Sequence, residues 1–141
     1  MAKYFTLDEL TYSHVAVLND IDNTPSEEIK KNLEELMEDL DSLREAWGGA
    51  IKITSGYRCK ELNEKVGGSK TSVHPYGFAA DMKPFNNDMD KFCEVAKEWA
   101  KNRNFDQLIE ESNKEGSRWL HYGKYNQKGQ QRKQIKKLNK K

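Results

Sequence analysis

The sequence predicts an α+β fold, with helices packed on one small, largely antiparallel sheet. Three observations predict it. Residues 24–47 carry isoleucine and leucine at helical spacing. Four short runs rich in apolar or β-branched residues are bounded by glycine, proline or polar clusters, as strands are. The last two of these runs are separated by the polar stretch from Ser112 to Ser117, as in a hairpin.

Taken in order, the first clear element is the long helix. Thr24 is its expected N-cap, Pro25 suits the first helical position, and Glu27 completes a capping box three residues after the cap. Ile29, Leu33, Leu36, Leu40 and Leu43 form its buried stripe, and Gly48-Gly49 ends it. The run from Ala50 to Thr54 is β-branched and lies between glycines and Ser55-Gly56, which predicts a strand. Residues 60–68 read as a short helix closed by Gly67, and residues 77–84 as a strand stopped by Pro84. Residues 87–102 form a second amphipathic helix, with Met89, Phe92, Val95, Ala96 and Trp99 on one face. Residues 105–111 and 118–125 supply the hairpin strands.

At 141 residues the chain is read as one domain with room for a core. The domain is expected to span residues 1–123, followed by a basic segment, 124–141. No run of about 18 apolar residues occurs, so no membrane-spanning helix is expected. The opening residues lack an apolar stretch, so no signal peptide is expected and the chain is expected to be made in a cytoplasm. Cys59 and Cys93 are the only cysteines and are expected as free thiols. The net charge of +1 conceals an asymmetry. From Lys124 onward there are eight Lys or Arg and no acid, while residues 1–123 carry sixteen basic and 23 acidic side chains. Such a segment is either a solvated terminus or a contact for a polyanion, and Lys133–Leu138 can also add a last strand. Tyr125 is its one aromatic, so nucleic acid is not the expected partner.

Two histidines and an acid invite a metal reading. His74 precedes the strand that contains Asp81, and His121 lies in the last hairpin strand. A catalytic zinc takes three protein ligands from nitrogen, oxygen or sulfur and keeps one position open. On spacing alone, packed or surface side chains remain the commoner explanation for such residues. His14 has no partner pattern and is read as structural or exposed.

The surroundings of these residues carry a resemblance. Ser55 to Arg58, Leu62-Asn63, Val66 to Gly68, Ser72, His74, Gly77, Ala79 and Asp81, followed by Phe105 to Glu111 and Trp119 to Gly123, resemble the zinc D-alanyl-D-alanine carboxypeptidase family. Its members cut peptidoglycan stem peptides and include endolysins that cleave between L-alanine and D-glutamate. Hedgehog signalling domains share the fold. The opening from Tyr4 to Pro25 resembles small phage and prophage members, so the resemblance runs to about Lys124.

The resemblance implies Zn2+ held by His74, Asp81 and His121. It implies a general base that moves a proton from water to the leaving amine. Dipeptidase-like relatives carry that acid three residues before the last histidine ligand, where this chain has Arg118. Glu110, Glu111 and Glu115 remain. Strand alternation puts Glu110 and Glu111 on opposite faces, and the likeness of residues 105–111 to the Hedgehog-like branch points to Glu111. Arg58 is expected to clamp a substrate carboxylate, with a structural ion pair as the competing role. Ser72 is expected to bind substrate or orient the site, or else to cap a turn. Tyr57, Trp119 and Tyr122 either line a groove or pack in the core. The implied function is a peptidoglycan stem-peptide peptidase of phage type, a monomer that acts on the cell wall after release or as a virion component. The basic segment would then meet an anionic cell-wall polymer. The alternative is a zinc-holding cell-wall or virion module of the same fold without turnover.

Overall fold

The structure is a computed structural model that describes residues 2–139; Lys140 and Lys141, counted above in the basic segment, lie outside the described residues. The elements run α1 (Leu7–Thr11), α2 (His14–Leu18), α3 (Glu27–Trp47), β1 (Ile51–Ser55), α4 (Lys60–Lys65), a 3-10 turn (His74–Tyr76), β2 (Ala79–Pro84), α5 (Met89–Ala100), β3 (Gln107–Ser112), β4 (Arg118–Gly123) and β5 (Gln134–Asn139). The strands form one sheet in the order β1-β2-β4-β3-β5. Every pair is antiparallel except β3 with β5, which is parallel. This is the predicted α+β class.

The long helix starts later than its sequence suggests. Ser26 is the N-cap, and its Oγ accepts the Ile29 N–H at 3.3 Å. The Thr24 N–H instead donates to Asp22 Oδ1. Thr24 and Ser26 both offer a capping oxygen, and Ser26 is the one whose hydroxyl reaches an orphan N–H of the first turn. Glu27 therefore lies in the first turn, where an acid meets the positive helix end, and makes no capping box. At the other end Gly48 adopts the left-handed conformation, φ 78°, that the predicted stop requires.

One face of the sheet carries the core. Leu33, Leu36, Leu40 and Leu43 of α3 join Phe92, Ala96 and Ala100 of α5 in one cluster with Ala80 and Met82 of β2, Leu108 of β3, and Leu120 and Tyr122 of β4. Burying each leucine contributes about 1.5–3 kcal/mol. Two acids of α3 act as ties. Asp39 accepts the Tyr122 hydroxyl at 2.8 Å and Arg103 Nη2 at 3.2 Å, linking α3 to β4 and to the end of α5. Asp41 accepts the backbone N–H groups of Lys3 and Tyr4, holding the first residues against α3. Glu110 faces α5, where Lys97 Nζ reaches it at 3.4 Å. The alternate residues Asp81, His121, Ile109 and Glu111 line the opposite face of the sheet.

The basic segment contributes the fifth strand, so it is not a solvated terminus along its length. Lys133 and Gln134 donate backbone N–H groups to Phe105 and Asp106, leading β5 onto the edge of β3. Asp106 has only 2% of its side chain exposed and is clasped by Arg132, with Nε to Oδ1 at 2.7 Å and Nη2 to Oδ2 at 2.8 Å. A carboxylate buried to this degree requires such a partner.

Loss of that partner is measurable. The range for breaking fully buried pairs is about 3–5 kcal/mol; because Arg132 is 41% exposed, we predict that Arg132→Ala costs about 2 kcal/mol at pH 7. Burial pushes the Asp106 carboxyl up, but the hydrogen bonds from Arg132 outweigh it and hold the group below the usual carboxylate range. A depressed carboxyl contributes stability above the unfolded-chain value, about pH 4, and loses it as pH falls through the lower folded value. Urea unfolding of both proteins should show the gap narrowing as pH falls below the usual carboxylate range. A gap independent of pH would mean that Arg132 acts by packing alone.

Candidate metal centre and its cleft

β2 and β4 are neighbours, and their register sets Asp81 directly opposite His121. Asp81 Oδ1 lies 2.9 Å from His121 Nδ1. His74 arrives from the 3-10 turn rather than from a strand. Its backbone N–H donates to Ser72 Oγ at 3.2 Å, and Pro75 stiffens the turn. Gly77 closes the turn at φ 76°, and a Cβ there would press on Ile29 and Leu33 at 3.1–3.2 Å, so glycine suits both the conformation and the space.

The His74 ring is oriented by the backbone. Its Nδ1 lies 2.7 Å from the Gly56 carbonyl oxygen. A carbonyl only accepts, so Nδ1 carries the proton and the lone pair is on Nε2. That Nε2 is 3.5 Å from Asp81 Oδ2. Gly56 is itself held close to α1: a Cβ at this position would overlap the Leu10 carbonyl, and the Tyr57 N–H donates to that same oxygen at 2.6 Å.

His74, Asp81 and His121 thus offer ligand atoms that all lie within 4.8 Å of one another. Two imidazoles and one carboxylate form a donor set suited to zinc. His74 is 3% exposed and Asp81 9%. Burial pushes the His74 imidazole below its usual value, against the pull of Asp81, and so favours the neutral ring that a metal requires. Burial also pushes the Asp81 carboxyl up, but the neighbouring His74 and His121 rings, His121 through its hydrogen bond to Oδ1, outweigh it and hold the group well below the carboxylate range. The fit to a divalent ion therefore rests on His74 and Asp81 biased toward their binding forms and on His121 placed beside them.

These residues line a cleft of about 210 Å³, together with Arg58, Ser72, Asp106, Glu111 and Arg132. Glu111 is 8% exposed, and its Oε1 accepts Trp119 Nε1–H at 2.5 Å. Trp119 pairs with Glu111 across β3–β4. Arg58 Nε is buried without a hydrogen-bond partner, and among the described residues no carboxylate forms an ion pair with it. Burial lowers the guanidinium below its usual value, opposed by Asp81 and Glu111. The other acids lie elsewhere: Glu110 faces α5, and Glu115 is exposed in the β3–β4 turn. Arg118, at the position where dipeptidase-like relatives carry an acid, instead pairs with Asp90 at 2.7 Å. Tyr122 belongs to the core, and His14 is exposed at the start of α2.

Sequence reasoning missed four contributors to this site: the Gly56 carbonyl, Trp119 as the donor to Glu111, and the Asp106–Arg132 pair in the cleft wall. Trp119 was readable in principle, because it lies two residues before His121 and so on the same strand face. The Gly56 contact depends on where α1 docks, which no local pattern reveals.

A family model described as peptidase M15 matches residues 3–121. The match takes in all three candidate ligands, Arg58 and Glu111, and stops before β5. Comparison with curated proteins finds no match.

We predict uptake of one zinc ion per chain, abolished by His74→Ala, Asp81→Ala or His121→Ala. Uptake should weaken as pH falls below the usual histidine range, because protons then compete for the ring nitrogens. Elemental analysis after zinc loading at several pH values measures this, and binding that survives all three substitutions would refute the ligand set.

Proposed function

Because the chain belongs to the peptidase M15 family, whose members are zinc-dependent, we propose that it is a zinc peptidase hydrolysing peptide bonds in peptidoglycan stem peptides. In this reading it is a phage-type lysin, acting on the wall after release or from a phage particle. One observation carries the proposal: the His74–Asp81–His121 donors share a cleft with a buried carboxylate, Glu111, and with Arg58, whose Nε has no partner.

Zinc held by His74, Asp81 and His121 would supply Lewis acidity toward a carbonyl oxygen and a water of lowered pKa. The protein's own groups divide the remaining work. Glu111, oriented by Trp119, takes a proton from the attacking water and delivers it to the leaving amine. Arg58 binds a stem-peptide carboxylate through its planar fork and so sets the position of the bond to be cut. Ser72 supports the site indirectly, since its hydroxyl accepts the His74 backbone N–H.

A second reading, a zinc-holding module without turnover, draws on Arg118, which stands where dipeptidase-like relatives carry the acid. The buried Glu111 on the cleft wall weighs against it.

Glu111→Gln should reduce hydrolysis by about 10²–10⁴ while zinc content stays unchanged, since the amide keeps the shape but cannot carry the proton. Glu110→Gln and Glu115→Gln should stay close to the parent protein, because those carboxylates lie away from the cleft. Digestion of purified peptidoglycan, with mass analysis of the fragments and zinc determination for each variant, separates the cases. A zinc-loaded parent protein that releases no fragment would favour the module without turnover.

A further inference from the structure

The cleft does not end at the ligands. Gly68 and Ser72 line both this cleft and a second hollow of about 680 Å³. Tyr57, Tyr76, Lys60, Glu64, Lys70 and Gln127 are among its lining residues. Tyr76 is 44% exposed and stacks on Phe78, with ring centroids 6.2 Å apart and planes 15° apart. Phe78 in turn meets Tyr125 edge-on at 5.2 Å, so the exposed ring is backed by an aromatic row. Gln127 is held in place by two bonds from its Nε2, to the carbonyls of Lys70 and Ser72. It comes from the stretch beyond the family match.

We propose that this hollow is a saccharide subsite, receiving a pyranose ring of the glycan strand to which a stem peptide is attached. This rests on the hydrolase reading above and deepens it. An aromatic face among a few polar groups suits a ring with an apolar C–H face and a hydroxylated edge. The rim mixes donors, from Lys60 and Lys70, with the Glu64 acceptor. Such a mixture matches hydroxyl and acetamido groups, whereas an acidic peptide would call for cations alone. Distance completes the argument. Tyr76 follows His74 by two residues, which places their Cα atoms within about 8 Å of each other. A sugar this close to the ligands puts the scissile bond among the first residues of the stem peptide. The far end of the peptide, four residues away, would need about 13 Å of extended chain.

The test uses the zinc-loaded full chain and two substrates, a disaccharide-linked stem peptide and the same peptide without sugar, with products identified by mass. The expected KM is about tenfold lower for the sugar-linked substrate, the scale of one aromatic contact, and cleavage should fall near the sugar. Tyr76→Ala should bring the KM ratio to about one, and Tyr76→Phe should keep it. Titration with an N-acetylglucosamine oligomer lacking peptide should shift the Gly68 and Gln127 amide signals in the parent protein and not in Tyr76→Ala. Equal KM values for the two substrates in the parent protein would overturn the subsite. So would a Tyr76→Ala protein whose KM rises equally on both, since a peptide residue would then fill the hollow. If neither substrate is cleaved but the sugar still shifts those signals, the hydrolase reading fails and the subsite stands.

Discussion

Asp81 and His121 face each other across the β2–β4 ladder, and this register ties the packing of the core to the chemistry of the cleft. The neighbouring residues on the same two strands, Ala80, Met82, Leu120 and Tyr122, are almost wholly buried under the helices. A slip of one residue would turn the acid and the imidazole into that apolar layer and bring leucine and tyrosine out. The hydrophobic alternation that builds the core therefore also holds two of the three donors in place. The third, His74, needs a separate device, because it comes from a turn. Its ring is aligned by the carbonyl of Gly56 and its backbone by Ser72.

The same alternation sorts the charges. On the helix side, Glu110 meets Lys97 and Arg118 meets Asp90, so these charges are neutralised within the protein. On the cleft side, Asp81 and Glu111 stand beside an arginine that no carboxylate pairs among the described residues. Adjacent glutamates in one strand thus have different environments for a geometric reason, and the distinction needs no difference in their intrinsic chemistry.

What could be read from the sequence depended on how local each signal was. Leucine spacing and the closing glycine were enough to find α3, and short apolar or β-branched runs between turn residues were enough for β1 to β4. The grouping of His74, Asp81 and His121 was legible only because the residues around them resemble a known pattern; their spacing alone did not reveal it. The start of α3 was misjudged because two hydroxyl residues flank Pro25 and only one of them can cap. α1 and α2 have five residues each, too few for a periodic pattern to stand out. β5 was legible only as one alternative: a strand rich in lysine also reads as a solvated tail until its partner edge and the Asp106 carboxylate are in view.

The close packing of Gly56 against Leu10 reaches further than local sterics. A short N-terminal helix, a backbone carbonyl and the tautomer of a metal-binding ring form one mechanical line, from the Leu10 carbonyl through Gly56 to His74. A substitution at Leu10 or Gly56, far from the donors in sequence, would therefore reach the proton that the Gly56 carbonyl fixes on His74 Nδ1.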